Sequence, residues 1–213
     1  MFVRNHLLPA TQVVSLTESQ SLKESLDIMM KDGHDALPVL REQRVVGVLS
    51  KQHIYKTFFL KDFPTKSEFL CTTLVRDEMK TDFRTIQENA ILEEALSTMS
   101  EMRMQFLTVL DSKGRLAGIL TKQKLLQTFA NSLGLGKRGT RMEIVLDDIE
   151  GRLATLTKLI AKAKINIISI IMVDPSVMEL RKVILRLDTR EKDSIVSMVE
   201  EAGFRVLHAF VEE

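Results

Sequence analysis

The chain has 213 residues, 45% of them apolar and 28% charged, the balance of a globular protein with a sizeable core rather than of a disordered one. Thirty Lys and Arg against 29 Asp and Glu leave a formal charge of +1, which excludes the strongly basic face that binding to phosphate backbones usually requires. The lone Cys71 excludes an intrachain disulfide, no run of about 20 apolar residues exists to cross a bilayer, and the first residues lack a secretory core, so the expectation is a cytoplasmic protein with neither nucleic acid nor membrane as partner.

Taken in chain order, the first 130 residues repeat themselves. Segment 15–40 overlays 85–110 at an offset of 70, and 44–58 overlays 115–129 at an offset of 71, with fifteen of the 41 aligned pairs identical. Upstream, VRNHL at 3–7 echoes VRDEM at 75–79. Two copies indicate a duplicated module rather than a solenoid, which needs three or more repeats.

Each copy reads the same way. An extended segment (Gln12–Leu16, Phe83–Ile86) leads to a helix whose apolar face carries Leu22, Leu26 and Met29, or Leu92, Leu96 and Met99, with Ser19 and Asn89 as expected N-caps. A strand follows (Ala36–Leu40, Phe106–Leu110), then a turn in which Gly114 suits a positive φ, then a second strand (Val45–Leu49, Leu116–Leu120) and a helix beginning near Ser50 or Thr121. Neither copy has enough apolar surface for a core of its own, so the two are expected to pack together.

After Phe129, Gly134, Gly136 and Gly139 spell a nominal dinucleotide-binding pattern, but no strand–turn–helix context surrounds it, and three glycines in six residues read as a flexible linker. From Met142 the pattern is clean again. Met142, Ile144 and Leu146 alternate along a strand, and a helix follows with Leu153, Leu156, Leu159 and Ile160. The apolar run Ile165–Val173 reads as a buried central strand, and Asp174-Pro175-Ser176 as a turn. A strand with Val183, Leu185 and Leu187, a helix with Ile195, Met198 and Val199 ending at Gly203, and a last strand Phe204–Val211 complete βαββαβ, the ferredoxin-like order.

The first 130 residues resemble a tandem pair of CBS domains, a Bateman module. The resemblance rests on Leu37-Pro38-Val39, Gly47-Val48-Leu49-Ser50 and Gly118-Ile119-Leu120-Thr121, and on the duplication. It implies a cleft between the units that binds an adenine nucleotide as regulatory ligand, with Ser50 or Thr121 touching phosphate at a helix start. The implied lining is His34, Asp35, Ala36, Pro38, Gly47, Ser50, Lys51 and His53, then Lys80, Thr81 and Phe83, then Met104, Gln105, Phe106, Gly118, Thr121, Lys122 and Lys124. Phe106 suits either stacking on a purine or a place in the core. The family pattern has an acidic residue three positions after the Ser or Thr, where it holds the ribose; here His53 and Lys124 stand there. A cation at that place suits extra phosphate, as in a di- or triphosphate or a cyclic dinucleotide; the other reading is an empty cleft that serves as a scaffold.

Asp148-x-x-Gly151-x-Leu153 and Asn166-Ile167 resemble an ACT domain, although Glu150 stands where the family often has Pro. That likeness implies an amino acid or similar effector at Asp148, Gly151, Leu153, Asn166 and Ile167 where two such domains meet. The bland alternatives are that Gly151 allows close helix–strand packing and Asn166 satisfies local backbone. The expected organisation is therefore α/β (α+β): a first CBS unit over 1–68, a second over 69–132, a Gly-rich linker over 133–140 and an ACT domain over 141–213. That order resembles the AcuB-type acetoin-utilisation proteins and implies a non-catalytic homodimer that acts on an unidentified target protein. Two remaining features take structural readings. Asp147, Asp148 and Glu150 form a solvated turn at a helix start, and Phe58, Phe59 and Phe63 cover the repeat interface. Cys71 has no base near it in sequence and is assigned no catalysis.

Overall fold

The computed structural model describes residues 1–213 except 62, 64, 103 and 175–178, so the expected Pro175-Ser176 turn and Pro64 lie outside the described residues. The chain forms two compact units, Met1–Leu126 and Gln127–Glu213.

In the first unit, β1 (Leu8–Pro9), β2 (Leu16–Thr17), α1 (Leu22–Lys31), β3 (Ala36–Arg41), β4 (Arg44–Ser50) and α2 (Lys51–Leu60) make the first repeat. Two short helices, α3 (Lys66–Thr72) and α4 (Val75–Glu78), lead to β5 (Thr85–Gln87), α5 (Leu92–Met102), β6 (Phe106–Leu110), β7 (Leu116–Thr121) and α6 (Lys122–Ser132). The strands form two sheets of order β2-β3-β4 and β1-β7-β6-β5. In each, a short parallel strand flanks an antiparallel hairpin: Leu16 pairs Val39 as Ile86 pairs Val109.

Local chemistry fixes the details. The residues read as extended at Gln12 to Val14 are partly a 3-10 turn, Ala10–Gln12, so strand pairing begins only at Leu16. Helix α1 is capped by Ser21, not Ser19. Its hydroxyl accepts from the Glu24 N–H at 3.2 Å while the Glu24 carboxylate accepts from the Ser21 N–H at 2.8 Å, a reciprocal capping box. The second-repeat helix starts at Leu92, three residues beyond Asn89. Leu22, Leu26 and Met29 are buried as expected, whereas in α5 the buried stripe is Leu92, Ala95 and Met99, and Leu96 is exposed. The hairpin turn takes φ +73° at Gly114.

Phe58 and Phe63 pack on the fully buried Phe69, with ring centres 5.7 and 4.7 Å away, inside the first repeat's core. Phe58 and Phe63 thus serve the first repeat's core rather than covering the repeat interface as expected, and Phe59 is exposed.

The two repeats exchange their leading segments. Val3 N–H donates to Ala90 C=O, Arg4 N–H to Glu88 C=O, and Leu92 N–H to Met1 C=O, so the N-terminal residues sit on the second repeat. In reverse, Val75 N–H donates to Gln20 C=O, Arg76 N–H to Glu18 C=O, and Leu22 N–H to Thr73 C=O. Val3 and Val75, the echoed valines, are both fully buried.

In the second unit, β8 (Gly139–Asp147), α7 (Arg152–Lys162), β9 (Ile167–Val173), β10 (Leu180–Leu187), α8 (Lys192–Glu201) and β11 (Arg205–Glu212) form an antiparallel sheet of order β11-β8-β10-β9. This is the ferredoxin-like arrangement, so the mixed α/β fold class expected for the chain holds for both units. Met142, Ile144, Leu146, Val183, Leu185 and Leu187 pack against Leu156, Ile160, Ile195 and Val199. Two expectations change. Strand β9 is at the sheet edge, not its centre, and Ile170, Met172 and Val173 are exposed. Gly139 and Thr140 belong to β8 rather than to a linker, and Leu133 C=O accepts from buried Arg186 and from Ser169.

Candidate functional site

The strand–helix junction β4–α2 places Ser50 at a helix start. Its hydroxyl oxygen accepts from His53 N–H at 3.1 Å, and Lys51 N–H donates to Asp35 C=O at 2.9 Å. The second repeat copies both bonds: Thr121 accepts from Lys124 N–H at 3.1 Å, and Lys122 N–H donates to Gln105 C=O at 2.8 Å. Each helix start is thereby anchored to the residue just before the adjacent strand.

A cavity of about 700 Å³ opens beside the first of these junctions, within the size range of small-molecule sites. Ala36, Val48, Ser50, Gln52 and His53 line it from the first repeat, Asp77 to Phe83 from the stretch leading into the second, and Met102, Met104, Gln105 and Phe106 from the second repeat itself. Val48 and Lys80 exchange backbone hydrogen bonds of 3.0 and 2.9 Å, which fixes that leading stretch against β4.

Of the residues implied by the resemblance, this cavity gathers Ala36, Ser50, His53, Lys80, Thr81, Phe83, Met104, Gln105 and Phe106. Phe106 is buried and still forms part of the wall. His34, Asp35, Pro38, Gly47 and Lys51 do not line it. Pro38 is buried within the β3–β4 pairing, Gly47 faces the Met79 side chain, and the Lys51 ammonium lies 3.7 Å from the Asp35 carboxylate. Gly118, Thr121, Lys122 and Lys124 belong to the other junction. There Leu8 and Pro9 pair with Ile119 and Gly118, where Val48 bridges Lys80 in the first.

The sequence reading missed Glu78. It is 5% exposed, lines the cavity and stands beside His53, with Oε2 3.5 Å from Nε2, while Lys61 donates to its other oxygen. The available signal was the echo of 3–7 in 75–79, which marks this stretch as part of the module. The setting of His53 works against the positive charge that its place in the motif suggests. Burial holds its pKa below the ordinary 6.5; Glu78 opposes this, and Lys80, Lys56 and Lys61 add to it. Lys80 stands in the wall at this end of the cavity.

In the second unit, the residues implied as an effector site divide between the two ends of α7. Asp148 and Gly151 precede the helix and Asn166 and Ile167 follow it, so its 11 residues hold the two groups apart by about 16 Å. Gly151 has φ +82° with nothing within 4 Å of where a Cβ would stand, so left-handed backbone rather than close packing requires glycine there. Asp148 pairs with Arg181 at 2.8 Å and Asp147 with Arg152 at 3.2 Å. Leu153 packs on the core. Asn166 C=O accepts from Asp188 N–H, and Asn166 and Ile167 border a shallow depression with Lys137 and Arg138.

Residues 3–59 and 75–131 each match the CBS domain family, together more than half of the chain, which therefore belongs to that family. The duplication read in the sequence is a pair of CBS domains. Among solved structures, a conserved hypothetical protein from Geobacillus kaustophilus is 25% identical, with a TM-score of 0.56 over 62% of this chain and 98% of its own. CBSX2 crystallised with AMP is 23% identical, with a TM-score of 0.53 over 61% of this chain and 96% of its own. The magnesium and cobalt efflux protein CorC of Escherichia coli is 22% identical over 131 residues, 62% of this chain and 42% of that protein. The chain thus spans under half the length of this curated relative. No helix among the described residues is long and apolar enough to cross a membrane.

Proposed function

We propose that the chain is a cytoplasmic, non-catalytic regulatory protein that binds an adenine nucleotide in the cavity between its CBS domains and acts on a partner protein through that binding. The carrying observation is the cavity itself. Both repeats build it, Phe83 and Phe106 give it aromatic walls, and Ser50 stands in it at the positive end of a helix. The AMP bound by CBSX2 supports the choice of ligand class. Control of a partner requires the nucleotide to favour one of two states of the protein. On this reading the second unit is an ACT-type domain that pairs two chains in a homodimer, and the order of the units supports a role beside acetoin or related carbon metabolism.

Thermal unfolding of the full chain against AMP, ADP, ATP, cyclic di-AMP and a set of amino acids tests this. A ligand at 100 times its Kd adds about 2.7 kcal/mol, a Tm rise of roughly 5–10 °C for a chain of this size. A rise with an adenine nucleotide is expected. A rise confined to an amino acid would move the sensing to the second unit, and a flat response throughout would leave the CBS pair as a scaffold.

A further inference from the structure

A second cavity, of about 380 Å³, adjoins the first. The two share Ser50, Gln52, His53 and Lys80. Their remaining walls differ in character: the larger adds Met79, Phe83, Met102, Met104 and Phe106 together with the carboxylates Asp77, Glu78 and Asp82, whereas the smaller adds Lys56, Thr57 and Leu60 and, among the described residues, no carboxylate. Aromatic and acidic side chains thus belong to the larger cavity, and the smaller carries Lys56 and Lys80 without them. Lys56 rises from α2 one turn beyond His53, and Lys80 is carried on backbone bonded to Val48. Glu78, a carboxylate of the larger cavity, is engaged by Lys61 and stands beside His53, and among the described residues neither Lys56 nor Lys80 is ion-paired. The recess therefore keeps two ammonium groups beside a hydroxyl and a helix start, a set that suits more negative charge than one phosphate carries.

We propose that this recess receives the outer phosphates of a nucleoside di- or triphosphate, with Lys56 and Lys80 as their counter-charges and the base on the Phe83 and Phe106 side. The inference rests on the nucleotide reading above and adds a selectivity to it: the cleft prefers ATP or ADP to AMP.

Titration calorimetry of the full chain with AMP and ATP, without divalent metal, reads the preference as the ratio of the two Kd values. ATP is expected to bind at least tenfold tighter. Lys56→Ala and Lys80→Ala together should bring that ratio to within about threefold of unity, the scale of losing contacts from exposed amines. Added salt should shrink it too, because exposed charges are screened over about 8–10 Å. Lys113→Ala, a single charge loss on the distant β6–β7 turn, should leave the ratio unchanged. Both lysines are exposed and absent from the core, so the variants should fold, and a matching unfolding midpoint verifies this. AMP binding as tightly as ATP, or an ATP preference that survives the double substitution, overturns the recess while the nucleotide reading stands. Binding of neither overturns both.

Discussion

Gly47 and Gly118 hold the same place in the two repeats, three residues before Ser50 and Thr121, but they face different neighbours. A Cβ on Gly118 would lie 2.1 Å from the carbonyl oxygen of Leu8, which is backbone and paired in a sheet. A Cβ on Gly47 would meet the Met79 side chain, with sulfur at 2.7 Å, and a thioether can turn aside. Gly118→Ala should therefore cost about 1–3 kcal/mol, and Gly47→Ala clearly less, since alanine also recovers some chain entropy. Urea midpoints of the two variants decide it, and equal losses would contradict the assigned contacts. The same scale explains His53. Its place in the motif was legible; its protonation was not, because burial and three lysines from other positions set it. An unfolded chain holds the His53 proton more readily than the folded one, so stability rises with pH across the region near and just below 6.5. In His53→Gln that part of the slope should vanish between about pH 7.5 and 5.5. The carboxylates held low by hydrogen bonds, Glu18 by Arg41, Glu24 by the Ser21 backbone, Asp111 by the Arg115 backbone and Glu143 by Arg141, act only at lower pH, below their ordinary 3.8 to 4.5. An unchanged slope in the variant would place the titration elsewhere.

Among the elements, strands and helices that follow local periodicity were legible from the residues, and β6, β7 and both hairpins fall where the repeat puts them. Starts and positions were harder. Ser19 and Ser21 both precede α1, and the deciding feature is Glu24, three residues after Ser21, which closes the capping box. Ser21→Ala should cost about 1 kcal/mol and Ser19→Ala almost nothing, as a shift in urea midpoint. A larger loss from Ser19 would mean that the box is not what holds the helix end. The exposure of β9 was hidden for a different reason. An apolar run fits a central strand, but sheet position is fixed by which strands pair, and β8 and β10 take the two interior places. The second unit's residues were read correctly as a ferredoxin-like order because order is a sequence property. The separation of Gly151 from Asn166 along α7 follows only once the helix length is fixed.

For the molecule as a whole, duplication was visible at once, because an offset of 70 or 71 needs no structure to detect. What the offset hides is that neither copy is self-contained. The leading segment of each copy lies on the other, so a cut between the repeats in sequence is not a cut between them in space. The consequence is testable at the N-terminus. Removing residues 1–9 takes away the fully buried Val3, the backbone bonds to Ala90, Glu88 and Leu92, and the β1 pairing with β7. Burying a valine contributes about 1.5–3 kcal/mol and each net hydrogen bond about 0.5–1.5. The expected loss is roughly 3–8 kcal/mol, a large share of the 5–15 typical of a domain. Because those residues pack on the second repeat, its amides should lose hydrogen-exchange protection first, around Ala90 and Leu92, although the deleted residues are sixty or more positions away in sequence. A peptide of residues 1–9 added back should restore that protection. If the shortened protein unfolds at the same urea concentration as the full chain, the exchanged segments carry no stability and the repeats fold as separate bodies. If protection falls in the second repeat as expected, the CBS pair is one cooperative body, the condition under which a ligand held between its halves can act on both.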